Sequence, residues 1–159
     1  MKIEQLMTKG VSTCEPGDTL SEVARIMWER DCGIVPIIED GATRRVVGIV
    51  TDRDACMASY TRGQPLSQIR VGDVMSTHVT SCRAGEDLHE AEQTMRSAQV
   101  HRLPVVDDAN QLLGVISLAD IAREAAREVG SRRQEVTAVE IGETLAAIRK
   151  PREIPAVCA

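Results

Sequence analysis

The sequence predicts an α+β protein in which one β-α-β-β-α unit occurs twice. Three observations carry this. The chain matches itself at an offset of 68, so that 5-QLMTKGVSTCEPGDTL-20 falls on 73-DVMSTHVTSCRAGEDL-88. Each copy runs in the same order, from a helix-start signal through helically spaced apolar residues to two short apolar strands separated by a polar turn. A copy of about 55 residues buries too little apolar surface to stand alone, so the two sheets must pack on each other.

The elements follow in order. Val11–Cys14 and Val79–Cys82 read as short strands. Thr19-x-x-Glu22 and Asp87-x-x-Glu90 read as capping signals, an N-cap oxygen followed three residues later by a carboxylate. Leu20, Val23, Ala24 and Met27, then Leu88, Ala91 and Met95, recur at helical spacing. Strands 34-IVPII-38 and 46-VVGIV-50 follow in the first copy, 103-LPVV-106 and 112-LLGVI-116 in the second. The register slips by two between them, inside the polar turn, where a hairpin tolerates insertion. Second helices start at Thr51 and Ser117, the latter reaching Gly130. The organisation is a first repeat over 1–60, a linker over 61–70 containing Gly63 and Pro65, a second repeat over 71–127, and a C-terminal extension over 128–159. The extension is helical or mobile, with an apolar stripe at Ala138, Ile141, Leu145 and Ile148 and a frayed end at 151-PREIPAVCA-159.

Composition narrows function. The formal charge of −5 lacks the basic footprint of a nucleic-acid binder, and with no Phe only Trp28 and Tyr60 could stack on bases. No apolar run is long enough to span a bilayer, and 1-MKIEQLM-7 has no secretory core, which points to the cytoplasm. The five cysteines form no C-x-x-C pair, so zinc and thioredoxin-like readings fail. Among the histidines His78, His89 and His101, 89-HEAEQ-93 lacks the second His of a zinc protease. No phosphate loop or nucleophile elbow is present, so no catalytic residue and no metal site is expected.

The feature that composition does not explain is a duplicated heptad, 48-GIVTDRD-54 and 114-GVISLAD-120. In each copy a hydroxyl and a carboxylate stand three residues apart at a strand-to-helix turn. One reading is purely structural, two capping boxes. The other is a ligand site. A helix N-terminus favours phosphate, while a first-turn carboxylate, acceptor-only, suits the paired hydroxyls of a ribose. Cations for the phosphate are Arg53, His101 and Arg102.

The doubled unit, with a (V/L)-P-(I/V) strand and a G-h-h-(T/S)-x-x-D motif in each copy, resembles a pair of cystathionine-β-synthase (CBS) domains, a Bateman module, over roughly residues 1–127. The resemblance implies two sheets meeting about a pseudo-twofold axis, two equivalent clefts, and an adenosine-nucleotide ligand (AMP, ADP or ATP). It implies that Thr51 and Asp54 serve one cleft and Ser117 and Asp120 the other. Ile34, Val35, Leu103 and Val115 would border adenine, and the basic pair in 101-HRLP-104 would reach phosphate. The first copy has Gly33-Ile34 at that position and lacks the basic pair. The resemblance further implies a homodimer and a regulated partner protein that reads the ligand state. The rival reading is a structural or dimerisation module that binds nothing.

Overall fold

The computed structural model describes residues 1–130 and 134–150. Strand β1 (Thr8–Lys9) is followed by α1 (Leu20–Glu29), the hairpin β2 (Ile34–Ile38) and β3 (Val46–Thr51), and α2 (Asp52–Arg62). The second unit runs through β4 (Cys82–Arg83), α3 (Leu88–Ala98), β5 (Arg102–Val106), β6 (Leu112–Ser117) and α4 (Leu118–Arg127); its two helices and its hairpin repeat those of the first, while β1 and β4 stand at different positions of the repeat. A last helix, α5 (Ala138–Ile148), follows. Each unit has its own apolar core. Leu20, Val23, Val35, Ile37 and Val50 fill the first, and Leu88, Met95, Leu103, Val105, Ile116 and Ile121 the second. No described helix is long and apolar enough to cross a membrane.

The two units interlock reciprocally, as a twofold relation requires. Thr8 and Lys9 pair antiparallel with Val115 and Gly114 of the second unit, and their counterpart Ser76 bridges Ile49 of the first. Ile3 is wholly buried in the second core, while its counterpart Val71, with Ile69, is wholly or almost wholly buried in the first. The hairpin tips bond each other symmetrically: the Val46 N–H donates to Asn110 O and the Leu112 N–H to Arg44 O, both at 3.0 Å. Beneath them Ile38, Val46, Val106 and Leu112 form a small apolar cluster shared by the halves.

The sheets differ from the sequence reading at their edges. Val11–Cys14 is not a strand; Cys14 alone bridges Ile37 in parallel, and the expected strand Val79–Cys82 shifts to Cys82–Arg83, parallel to β5. The reason is that Val11 and Val79 pack on the shared cluster instead of standing in a sheet. The Thr19 side chain caps nothing: the Glu22 N–H that it would meet bonds the Thr19 carbonyl at 3.0 Å instead, and the Glu22 carboxylate pairs with Arg25. Glu90 does act as expected, accepting from the Asp87 N–H at 2.7 Å.

Helix α4 stops at Arg127, short of Gly130. Helix α5 packs on α3 and α4 and buries Thr144 and Ile148, while Leu145 of the expected stripe is exposed. Thr144 takes its place because its hydroxyl donates to the buried Glu92 carboxylate and accepts from the Arg96 guanidinium at 2.9 and 3.2 Å. The expected frayed end, 151–159, lies outside the described residues.

Candidate functional site

Both motifs form the junction that their spacing implies. At the start of α4 the Ser117 N–H and hydroxyl donate to Asp120 Oδ2 at 2.8 and 2.6 Å, and the Asp120 N–H donates back to Ser117 Oγ at 3.2 Å. Thr51 and Asp54 repeat this at the start of α2 with 2.9, 2.7 and 3.2 Å. A third box of the same form, Thr137 with Glu140, starts α5. The box is therefore a general way this chain begins a helix, stabilised by satisfied N–H groups and the positive helix end. What separates the three is what surrounds them.

Among the described residues, the Asp120 box opens on a cleft of about 450 Å³ between the two units. The first unit contributes the segment Thr8–Ser12 together with Ile26, the end of α1 and the start of β2; the second contributes Arg102, Val115, Ser117, Ala119, Asp120 and Arg123. Ile34, Pro36 and Val115 make apolar walls, and Asp120 is 8 % exposed at the polar end. Its Oδ2 is committed to Ser117, and its Oδ1 accepts from Arg123, whose side chain is 67 % exposed. This arrangement can grip a ligand with a flat apolar part and a pair of neighbouring hydroxyls, since a carboxylate only accepts.

Of the candidate residues, Ile34, Arg102, Val115, Ser117 and Asp120 converge on this cleft. Val35 and Leu103 do not; both are wholly buried, one in each core, because alternate strand residues face opposite sides and their neighbours Ile34 and Arg102 hold the cleft side. His101 is also absent from the lining. Its carbonyl accepts from the Leu118 N–H at 2.9 Å. Burial, with help from Arg149 and Arg102, holds its ring pKa below the usual histidine value. Thr51, Asp54 and Arg53 belong to the other junction. Asp54 lines only a shallow depression of about 270 Å³ with residues of α2, Asp73 and Val74, and Arg53 is exposed.

Three cations of the cleft were not apparent from the sequence: Lys9, Arg30 and Arg123. Arg123 stands one helical turn after Asp120, a spacing that could have flagged it. Lys9 and Arg30 belong to the other repeat and become neighbours of Asp120 only through the interlocking of the units. The thiols of Cys14 and Cys82 are pushed up to about 12 by burial and carry no reactive character.

The geometry defines a tandem α+β repeat pair with a ligand-sized cleft at the seam. The CBS domain family profile matches residues 3–60 and again 71–127. The chain belongs to the CBS domain family, as a CBS pair. It is 35% identical over 120 residues to the CBS domain-containing protein YhcV of Bacillus subtilis (strain 168), covering 76% of this chain and 82% of that one. A putative acetoin utilization protein (AcuB) from Vibrio cholerae superposes with a TM-score of 0.71 at 28% identity, over 82% of this chain and 93% of that chain. The CBS domain pair of protein MJ0100, solved in complex with 5′-methylthioadenosine and S-adenosyl-L-methionine, shares the fold with a TM-score of 0.68 at 20% identity, over 84% of this chain and 98% of that one.

Proposed function

We propose that the chain is a regulatory module whose Asp120 cleft binds an adenosine nucleotide and whose occupied form is read by a partner protein. The observation that carries this is the placement of Asp120, a nearly buried carboxylate at a helix start, facing a cleft walled by Ile34, Pro36 and Val115. The base would lie against the aliphatic walls, the ribose diol on the carboxylate, and the phosphates toward the basic side chains. Solved with two adenosine compounds, the MJ0100 pair lends this support as a relative of like fold. A nucleotide seated across the seam stabilises one relative arrangement of the units in proportion to its differential affinity for it, which is the basis of the signal. The cleft residues offer apolar walls, a carboxylate and cations suited to binding, and the reading is accordingly regulatory.

Titration of the protein with AMP, ADP and ATP by calorimetry and thermal unfolding tests this. Stabilisation following RT ln(1 + [L]/Kd), about 2.7 kcal/mol at a hundred times Kd, is the expected result. An unchanged unfolding curve with all three, at millimolar ligand, ends the proposal.

A homodimer belongs to the same reading. Helix α5 covers α3 and α4, whereas α1 and α2 expose Trp28 (88%), Tyr60 (80%) and Met57 (44%). These apolar side chains suit a second copy of the same face. Light scattering is expected to give twice the monomer mass, reduced to one by Trp28→Glu with Tyr60→Glu; a monomeric native protein would refute the pairing.

A further inference from the structure

Resting on the nucleotide reading of the Asp120 cleft, we infer that this cleft selects adenosine compounds bearing several phosphates over neutral adenosine and over cationic S-adenosyl compounds, and that Arg123 enforces the choice. The first observation is charge. In a chain of net charge −5, four cationic side chains line the cleft, Lys9, Arg30, Arg102 and Arg123, against two carboxylates, Asp31 and Asp120. Among the described residues, Lys9, Arg30 and Arg102 form no ion pair, while most other arginines of the chain's helices do. Unpaired cations gathered around a concave site leave a positive potential that an anionic ligand fills.

The second observation is that three of these four cations have no charged counterpart at the repeat-related place. The counterparts of Lys9, Arg30 and Arg123 in the repeat are Thr77, Ala98 and Met57, none charged. The fold accepts uncharged side chains at these positions, so the scaffold does not demand the cations.

The third observation gives Arg123 its part. Its guanidinium is bonded to Asp120 Oδ1, the oxygen left after Oδ2 is taken by Ser117. A ribose diol must displace or share that bond. The Arg123 side chain is two-thirds exposed, long and free to swing. With a nucleoside, the freed guanidinium loses a carboxylate and gains no anion. With a nucleotide it exchanges the carboxylate for phosphate, a bidentate partner of equal quality. Arg123 thus opposes unphosphorylated ligands and favours phosphorylated ones. A sulfonium ligand meets the same opposition with added repulsion from Lys9, Arg30 and Arg102.

The test is calorimetric titration of the full chain, native and Arg123→Ala, with adenosine, AMP, ATP and S-adenosylmethionine at low and high salt. For the native protein ATP is expected to bind about tenfold or more tightly than adenosine, with AMP between them and S-adenosylmethionine weakest, and the ATP advantage should shrink with salt. In Arg123→Ala, ATP affinity should fall while adenosine affinity rises or holds, collapsing the ratio. Arg30→Ala should weaken ATP alone. Equal binding of adenosine and ATP to the native protein, or tightest binding of S-adenosylmethionine, overturns the selection while leaving the ribose site in place. Failure of all four to bind instead removes the nucleotide reading itself, and this inference with it.

Discussion

Asp120→Ala is expected to lower adenosine-nucleotide affinity by roughly tenfold or more. The carboxylate would make charge-assisted hydrogen bonds to the two ribose hydroxyls, each worth on the order of 1.5–3 kcal/mol. The same change opens the capping box at Ser117, which costs about 1 kcal/mol of stability. The two losses must be told apart, and α5 offers the control. Glu140 makes the same three contacts with Thr137 but lies away from the cleft. Glu140→Ala should therefore cost a similar amount of stability and no affinity. Asp54→Ala, whose box opens on no comparable cleft, should behave like Glu140→Ala. Thr19→Ala should cost almost nothing, since that hydroxyl caps no N–H. Calorimetry with ATP and urea unfolding on all four variants decide the matter. Equal affinity in native protein and Asp120→Ala would leave only a helix cap.

The repeat and the order of its elements are legible in the sequence because both depend on local patterns: the self-match, the helical spacing of Leu88, Ala91 and Met95, and the two hairpins. The motif boxes are legible for the same reason, since three-residue spacing fixes the contact of Ser117 with Asp120. What lies beyond local pattern is the exchange of segments between the units. Ile3 precedes the first repeat's helix in the chain yet fills the second repeat's core, and no property of the peptide around it says so. The same exchange brings Lys9 and Arg30 beside Asp120. Strand alternation was the other gap. Val35 and Leu103 share a strand with true cleft residues, and only the buried face on which each stands removes them from the lining. Thr144 fell outside the expected stripe because a hydroxyl reads as surface unless a buried carboxylate such as Glu92 is there to meet it.

Gly114→Ala is expected to destabilise the protein more than any other single methyl addition in the motifs. A Cβ on Gly114 would stand 2.5 Å from the backbone carbonyl oxygen of Thr8 and 3.1 Å from Met7 Sδ. Thr8 is held there by its pairing with Val115, so the methyl must push β1 off the sheet edge. Overpacking of this kind costs about 1–3 kcal/mol, and more where the obstacle is backbone. The repeat supplies its own comparison. A Cβ on Gly48 would meet Met75 Sδ at 2.6 Å, but a thioether can turn aside where a carbonyl cannot. Both changes gain roughly 0.4–1 kcal/mol from a stiffer unfolded chain, so the difference between them reads the collision alone. Thermal unfolding should thus place Gly114→Ala several degrees below Gly48→Ala, at about 2–4 °C per kcal/mol for a chain of this size. Met7→Ala should not rescue Gly114→Ala, because the collision is with the main chain. Thr8 also lines the cleft, so Gly114→Ala should weaken nucleotide binding as well, whereas Gly48→Ala should not. If the two alanine variants melt together, the close approach of β1 to β6 is wrong. The glycine of the second motif would then have no structural reason to be there, whereas the crossing of β1 onto β6 makes it the point where one repeat's backbone passes over the other and brings Lys9 to the cleft.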